Sequence, residues 1–296
     1  MNSAMLVLST MRPKQWVKNL FTFAPLLFAL KLGNWWAALH TMAVFALFCL
    51  ASGTVYLLND VLDRDADAQH PHKKLRPIAS GRLTVGTALG TAVVFACAAI
   101  AMAFAWDLHV GLVVFGFLAL NTFYSLKGKR IPIVDVLLIS CGFILRVVAG
   151  AVAIPVPISL WILVCTFFLS VYLGLGKRLH ELLSAGLNAG KTRAVLKRYS
   201  RKWTALAFHI MGAAAVVSFT AYTLSEKALT SFGTSHLVFT VPLVVMGLFR
   251  FNVLARATDR SSPPTEALLT DAVALASAVA WTAAAVLIIY LPRWLA

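Results

Sequence analysis

Nine consecutive residues hold four carboxylates: Asn59-Asp60-Val61-Leu62-Asp63-Arg64-Asp65-Ala66-Asp67. On a helix, about 100° per residue puts Asn59, Asp60, Asp63 and Asp67 within one arc of about 100°, with Asp65 pointing elsewhere. Carboxylates gathered in this way repel one another. A divalent cation relieves that repulsion. Mg²⁺ suits the donors, since it takes one or two carboxylates, substrate phosphate oxygens and water. The plainer alternative is a solvated acidic helix end, which the helix macrodipole disfavours at a C-terminus. Directly downstream, His70, His72, Lys73, Lys74, Arg76 and Arg82 fall in a stretch shaped by Pro77 and Gly81. Cations beside a carboxylate–metal group suit a polyanion bridging both, as phosphates do. His70 and His72 read as loop residues, because imidazole is a poor match for a hard cation held by carboxylates.

Further candidates lie along the chain. Lys177, Arg178 and Glu181 share a helical face, readable as an anion grip or as an ordinary i,i+4 ion pair. Tyr124, Lys129 and Asp135 bracket a short connection, where Tyr124 could be a belt aromatic and Lys129 an orientation charge. Arg146 lies eleven residues past Asp135, about 16 Å deeper at 1.5 Å per residue. An ionisable residue so deep needs a polar cavity or a partner. Gly142 and Gly150 flank it and leave room for a headgroup or a close helix.

These groups must be held by membrane helices. The 296 residues are 60% hydrophobic and 12% charged, with a mean hydropathy of +0.83. Those proportions exclude an ordinary soluble domain and a disordered chain. Stretches near 17–32, 35–58, 84–106, 108–126, 132–153, 157–176, 203–225, 235–255 and 272–292 are each apolar enough to cross a bilayer. The fold class is therefore all-α, a polytopic bundle of about nine transmembrane helices in a single integral-membrane domain, 1–296. The net charge of +15 concentrates in alternate loops, which puts the N-terminus and the long loops in the cytoplasm and the C-terminus outside. The basic excess is thus topological, and no nucleic-acid partner is expected. Cys49, Cys97, Cys141 and Cys165 sit in apolar runs without metal-ligand spacing, as packing residues. The piece before Met11 is too short and too poor in basic residues for a cleavable leader.

NDxxDxxxD at Asn59–Asp67, followed by HPxKxxRPIASG at His70–Gly81, resembles the UbiA superfamily of intramembrane prenyltransferases. RPKQWVKN at Arg12–Asn19, YSLKGKRIPIVD at Tyr124–Asp135, GFILRVVAGA at Gly142–Ala151 and LGKRLHEL at Leu175–Leu182 are similar to its decaprenyl-phosphate phosphoribosyltransferase branch. The resemblance runs from Met11 to about Leu183. It implies a UbiA-type bundle with a cytoplasmic-facing active-site cavity in the cell (inner) membrane. The implied reaction is Mg²⁺-dependent transfer of 5-phosphoribose from phosphoribosyl diphosphate to a polyprenyl phosphate. Asp60, Asp63 and Asp67 would hold Mg²⁺, helped by Asn59. Lys73, Arg76, Lys129, Lys177 and Arg178 would grip phosphates, with Glu181, Tyr124, Asp135 and Arg146 also lining the site. Lys14, Gln15, Lys18 and Asn19 would close it. The chain departs from mainstream prenyltransferases in lacking a second aspartate-rich motif after the sixth span. That counts against prenyl transfer to an aromatic or other acceptor, which stays as one alternative. A transporter or lipid-binding protein is the other.

Overall fold

The computed structural model describes residues 2–69, 73–185, 194–257 and 263–294. Within them every regular element is helical, and eight helices are long and apolar enough to cross a membrane. The protein is thus a multi-pass integral membrane protein. His70, His72, Lys191, Arg193, Asp259 and Arg260 lie outside the described residues. The chain divides into two compact units, Met1–Ile158 and Ser159–Ala296.

The first unit is built on a long helix. Helix α1 (Ser3–Thr10) leads into a 3₁₀ segment, Pro13–Phe23, and the short α2 (Ala24–Phe28). Then follow α3 (Trp35–Leu62), α4 (Arg64–Ala68), α5 (Val85–Trp106), α6 (Leu108–Leu126) and α7 (Val134–Ala153). Asn34 starts α3 by accepting the Ala37 N–H, and Asp107 starts α6 by accepting those of His109 and Val110. Backbone donation by Val110 is the main cause that holds the exposed Asp107 carboxyl below its usual range. Helix α3 packs against α5, α6 and α7. Phe48, Val110, Val114 and Phe117 form the centre of that core.

The stretch 17–32, expected to be an α-helical span, takes another form. Lys18, Asn19 and Thr22 give it a polar character, and Pro25 can sit only in the first turn of a helix. The chain therefore runs as a 3₁₀ helix to Phe23, and α2 begins beside Pro25. It lies antiparallel along α3: Asn19 touches Cys49 and Ser52, and Phe23 meets Phe45. An eleven-residue 3₁₀ run is unusual, because its hydrogen bonds are poorer than an α-helix's. Neighbouring side chains hold it in place.

The second unit contains α8 (Leu160–Ala185), α9 (Arg201–Thr223), α10 (Glu226–Phe232), α11 (Val241–Arg256), α12 (Pro264–Ala267) and α13 (Ala272–Trp294). Its core stacks Tyr172 on Phe208 at 4.4 Å, with Phe251 edge-on to Tyr172 at 5.4 Å. Gly176 and Gly212 leave the space those rings fill. Arg250 makes a forked bond to Asp271, at 2.8 and 2.6 Å, and Asp271 also caps α13 through the Ala274 N–H. Helix α8 runs well past residue 176, so Lys177, Arg178 and Glu181 stand on its final turns rather than in a loop.

Candidate active site

The acidic motif starts inside α3 and ends beyond it. Helix α3 stops at Leu62, Asp63 caps it, and α4 resumes one residue later. The bend separates the carboxylates that an unbroken helix would align. Asp60 and Asp67 are each only 3% exposed, whereas the Asp63 side chain is 41% exposed. Each meets a base from another part of the first unit. Arg12 and Arg76 both reach Asp60 Oδ1, the latter at 3.2 Å. Arg76 Nη1 also donates to Asp67 Oδ2 at 2.5 Å, and Lys73 Nζ lies 3.8 Å from Asp67 Oδ1. Lys129 Nζ donates to Asp63 Oδ1 at 2.6 Å.

Local structure sets each of these bases. Arg76 stands on a loop pinned by Ile78 and Leu83, which are buried against Leu57 and Met11. The loop closes with Leu83 N–H on the Pro77 carbonyl, and Gly81 takes the left-handed conformation at φ 75°. Lys129 sits in the 3₁₀ turn Gly128–Arg130 after α6. Arg12 joins α1 to the 3₁₀ segment at φ 53°, a costly conformation for a side chain of its size. Its guanidinium lies over the Tyr56 ring, 5.0 Å from the centroid. Arg12 was not among the residues singled out in the sequence. Its only local signal was its place at the head of RPKQWVKN, since 48 residues separate it from Asp60.

Arg146 is buried, and the structure supplies protein partners for all three of its nitrogens. Nε donates to Asn19 Oδ1 at 2.7 Å, Nη1 to the Gly142 carbonyl at 2.8 Å and Nη2 to Ser52 Oγ at 3.2 Å. Phe48, Phe117 and Phe143 surround the guanidinium, with Phe117 nearest at 4.7 Å. Arg146 is thus held by an amide, a hydroxyl, a carbonyl and aromatic rings. Gly150 serves a close backbone approach: a Cβ there would strike the Thr22 carbonyl of the 3₁₀ segment. The space at Gly150 is thus taken by the chain itself. Asn19 is fully buried in this contact, and Gln15 is buried too, while Lys14 is exposed and Lys18 half-buried.

Asn59 and Tyr124 are half-buried, and Asp135 is buried in the first turn of α7, where the helix N-terminus favours an acid. In the second unit Arg178 is fully buried and donates to Glu181, with Lys177 half-buried beside it. The pair is intrahelical but spans three residues rather than the four of the i,i+4 reading, and its arginine is buried while Glu181 stays partly exposed.

The fit of a divalent cation can be judged from Arg76 Nη1, where one positive atom already lies between two buried carboxylates. Two hard oxygen donors, with phosphate oxygens and water to complete the shell, are what Mg²⁺ accepts. Asp60 and Asp67 fit the ion. Among the described residues no three His, Cys, Asp or Glu side chains converge as a metal-binding group. Arg12, Arg76, Lys73 and Lys129 lie against the three aspartates expected to share a metal, and the bend at Asp63 sets that residue apart from the buried Asp60 and Asp67.

Residues 19–269 match the UbiA prenyltransferase family. The decaprenyl-phosphate phosphoribosyltransferase of Corynebacterium glutamicum is 32% identical over 291 residues, covering 96% of this chain and 87% of that one. Its Mycobacterium tuberculosis namesake is 30% identical over 283 residues, covering 94% and 92%. The solved structure of a UbiA homologue from Archaeoglobus fulgidus, bound to DMAPP and Mg²⁺, superposes with a TM-score of 0.71 at 18% identity, covering 95% and 98%. The chain belongs to the UbiA prenyltransferase family and has its all-helical membrane fold. It is a transferase.

Proposed function

We propose that the protein transfers 5-phosphoribose from phosphoribosyl diphosphate to a polyprenyl phosphate at the cytoplasmic face of the cell (inner) membrane, as one catalytic domain. The observation that carries this reading is the buried pair Asp60 and Asp67 ringed by Arg12, Lys73 and Arg76. Acids that suit a metal, set among bases that suit phosphate, match a diphosphate donor. The names of the relatives support the sugar phosphate over a prenyl group.

The reaction breaks the bond from the ribose C1 to the diphosphate oxygen, which leaves with the electron pair. A new bond forms from C1 to an oxygen of the acceptor phosphate. That oxygen is already anionic near neutral pH, so no strong general base is needed. The protein's work is positioning and charge neutralisation. Asp60 and Asp67 would hold Mg²⁺, with Asp63 and Asn59 beside them. When bound, the ion supplies Lewis-acid neutralisation of the leaving diphosphate. Lys73 and Arg76 would bind its phosphates, and Lys129 would serve the same anion while orienting Asp63. Lys14, Lys18 and Gln15 would border the site from the N-terminal segment, and Tyr124 and Asp135 from the α6–α7 side. Lys177 and Arg178, backed by Glu181, would add a further phosphate-binding group, as the resemblance implies. The apolar helices would shelter the lipid tail.

Purified protein given labelled phosphoribosyl diphosphate and polyprenyl phosphate should form a labelled lipid. EDTA should stop the reaction, excess Mg²⁺ should restore it, and Asp60→Ala or Asp67→Ala should abolish it. Use of an isoprenyl diphosphate in place of the sugar donor would overturn the reading.

A further inference from the structure

Arg12 and Arg76 converge on the same atom, Asp60 Oδ1, and Arg76 also holds Asp67. A divalent ion ligated by that oxygen would lie beside two guanidinium groups. Cations at such range repel strongly when partly shielded from water, so ion and arginines compete for the acid pair. Arg12 and Arg76 together carry two positive charges, as one divalent ion does, and Lys73 Nζ lies beside the pair, 3.8 Å from Asp67 Oδ1. Both arginine side chains are 28% exposed while the acids are buried. The bases therefore have an open side to turn towards and the acids do not. A diphosphate arriving with the metal would offer the displaced arginines new anionic partners of the kind a guanidinium fork prefers.

We infer that Arg12 and Arg76 are exchangeable counter-cations, which hold Asp60 and Asp67 closed in the metal-free protein and yield them when a divalent cation arrives together with a diphosphate. Metal alone must displace the arginines into water. Diphosphate alone must pull them from buried acids that would then be left unpaired. Each ligand removes the other's cost, so their binding is coupled, and coupling of this kind is reciprocal. The inference rests on the proposed function only in taking a diphosphate as the anion; the group transferred does not enter.

The test uses full-length protein in detergent with Mn²⁺ as the probe, free ion being counted by electron paramagnetic resonance. Binding by the Asp60→Asn/Asp67→Asn variant is subtracted as binding elsewhere. Wild type should bind Mn²⁺ weakly on its own. Arg76→Gln and Arg12→Gln should each tighten binding of Mn²⁺ alone by about tenfold or more, the loss of one competing charge-assisted contact expressed as a fold-change. Methylene diphosphonate should tighten Mn²⁺ binding to wild type and do so less in Arg76→Gln. Should Arg76→Gln fail to fold, Arg12→Gln, from a separate segment, carries the same expectation. Unchanged or weaker Mn²⁺ binding in the folded variants overturns the inference. Sugar-phosphate transfer by wild type with unchanged Mn²⁺ binding in the variants would sink the exchange alone. Tighter binding without any such transfer would sink the donor assignment alone.

Discussion

Arg146→Met keeps an apolar stem of similar reach and removes the guanidinium. Three donated bonds are lost, at 2.7, 2.8 and 3.2 Å. The Gly142 carbonyl still accepts the backbone bond four residues along α7, so it is not orphaned. Ser52 Oγ keeps Asn19 Oδ1 as an acceptor at 3.3 Å. The group left short is therefore Asn19 Oδ1, buried and reduced to one long bond. An under-satisfied buried acceptor costs about 1–3 kcal/mol, and the lost attraction to aromatic rings adds about 0.5–2 kcal/mol. No longer burying a cation gives some of this back. The expected net loss is about 2–3 kcal/mol, within the range seen on breaking a buried polar network. Reversible unfolding in mixed micelles, followed by far-UV circular dichroism, measures it. Asn19→Leu should behave similarly, and the double variant should lose less than the sum, because both ends of the bond are then gone. Full stability in Arg146→Met, or strict additivity in the cycle, would refute Arg146 as a brace for the 3₁₀ segment.

Gly150→Ala should destabilise the protein by about 1–3 kcal/mol, since its Cβ would press on the Thr22 carbonyl. Gly142→Ala, whose nearest neighbour would be 3.6 Å away, should be neutral or slightly stabilising; the same unfolding assay decides whether the two differ in sign. Arg178→Ala should raise the apparent KM for phosphoribosyl diphosphate roughly ten- to a hundredfold with little change for polyprenyl phosphate, and steady-state kinetics with each substrate varied in turn checks it. Asp107→Asn should remove a pH dependence. Because the folded-state carboxyl lies below its ordinary value, its stabilising effect is present above the ordinary carboxylate range and fades as pH falls through the lowered value. Unfolding curves of wild type and variant should converge in acid.

Much of the architecture was legible in hydropathy alone. The spans near 35–58, 84–106, 108–126 and 132–153 correspond to α3, α5, α6 and α7, because a bilayer demands long apolar helices that satisfy their own backbones. The acidic motif and the basic stretch after it were legible too, since residue type and close spacing define both. Pairing was not. Arg12 meets Asp60 across 48 residues, Lys129 meets Asp63 across 66, and Arg146 meets Asn19 across 127. Periodicity carries no information about contacts between elements so far apart. The break at Asp63 likewise turned one expected carboxylate face into a buried pair and an exposed partner. The polar and Pro-containing stretch after Arg12 could be read as an interrupted span. Its 3₁₀ form depends on anchors that only packing supplies: the Arg146 guanidinium on Asn19, and the bare face of Gly150 against the Thr22 carbonyl. Apolar composition determined which segments enter the membrane, while the long-range ion pairs and close backbone approaches of the folded chain decided which charges meet there.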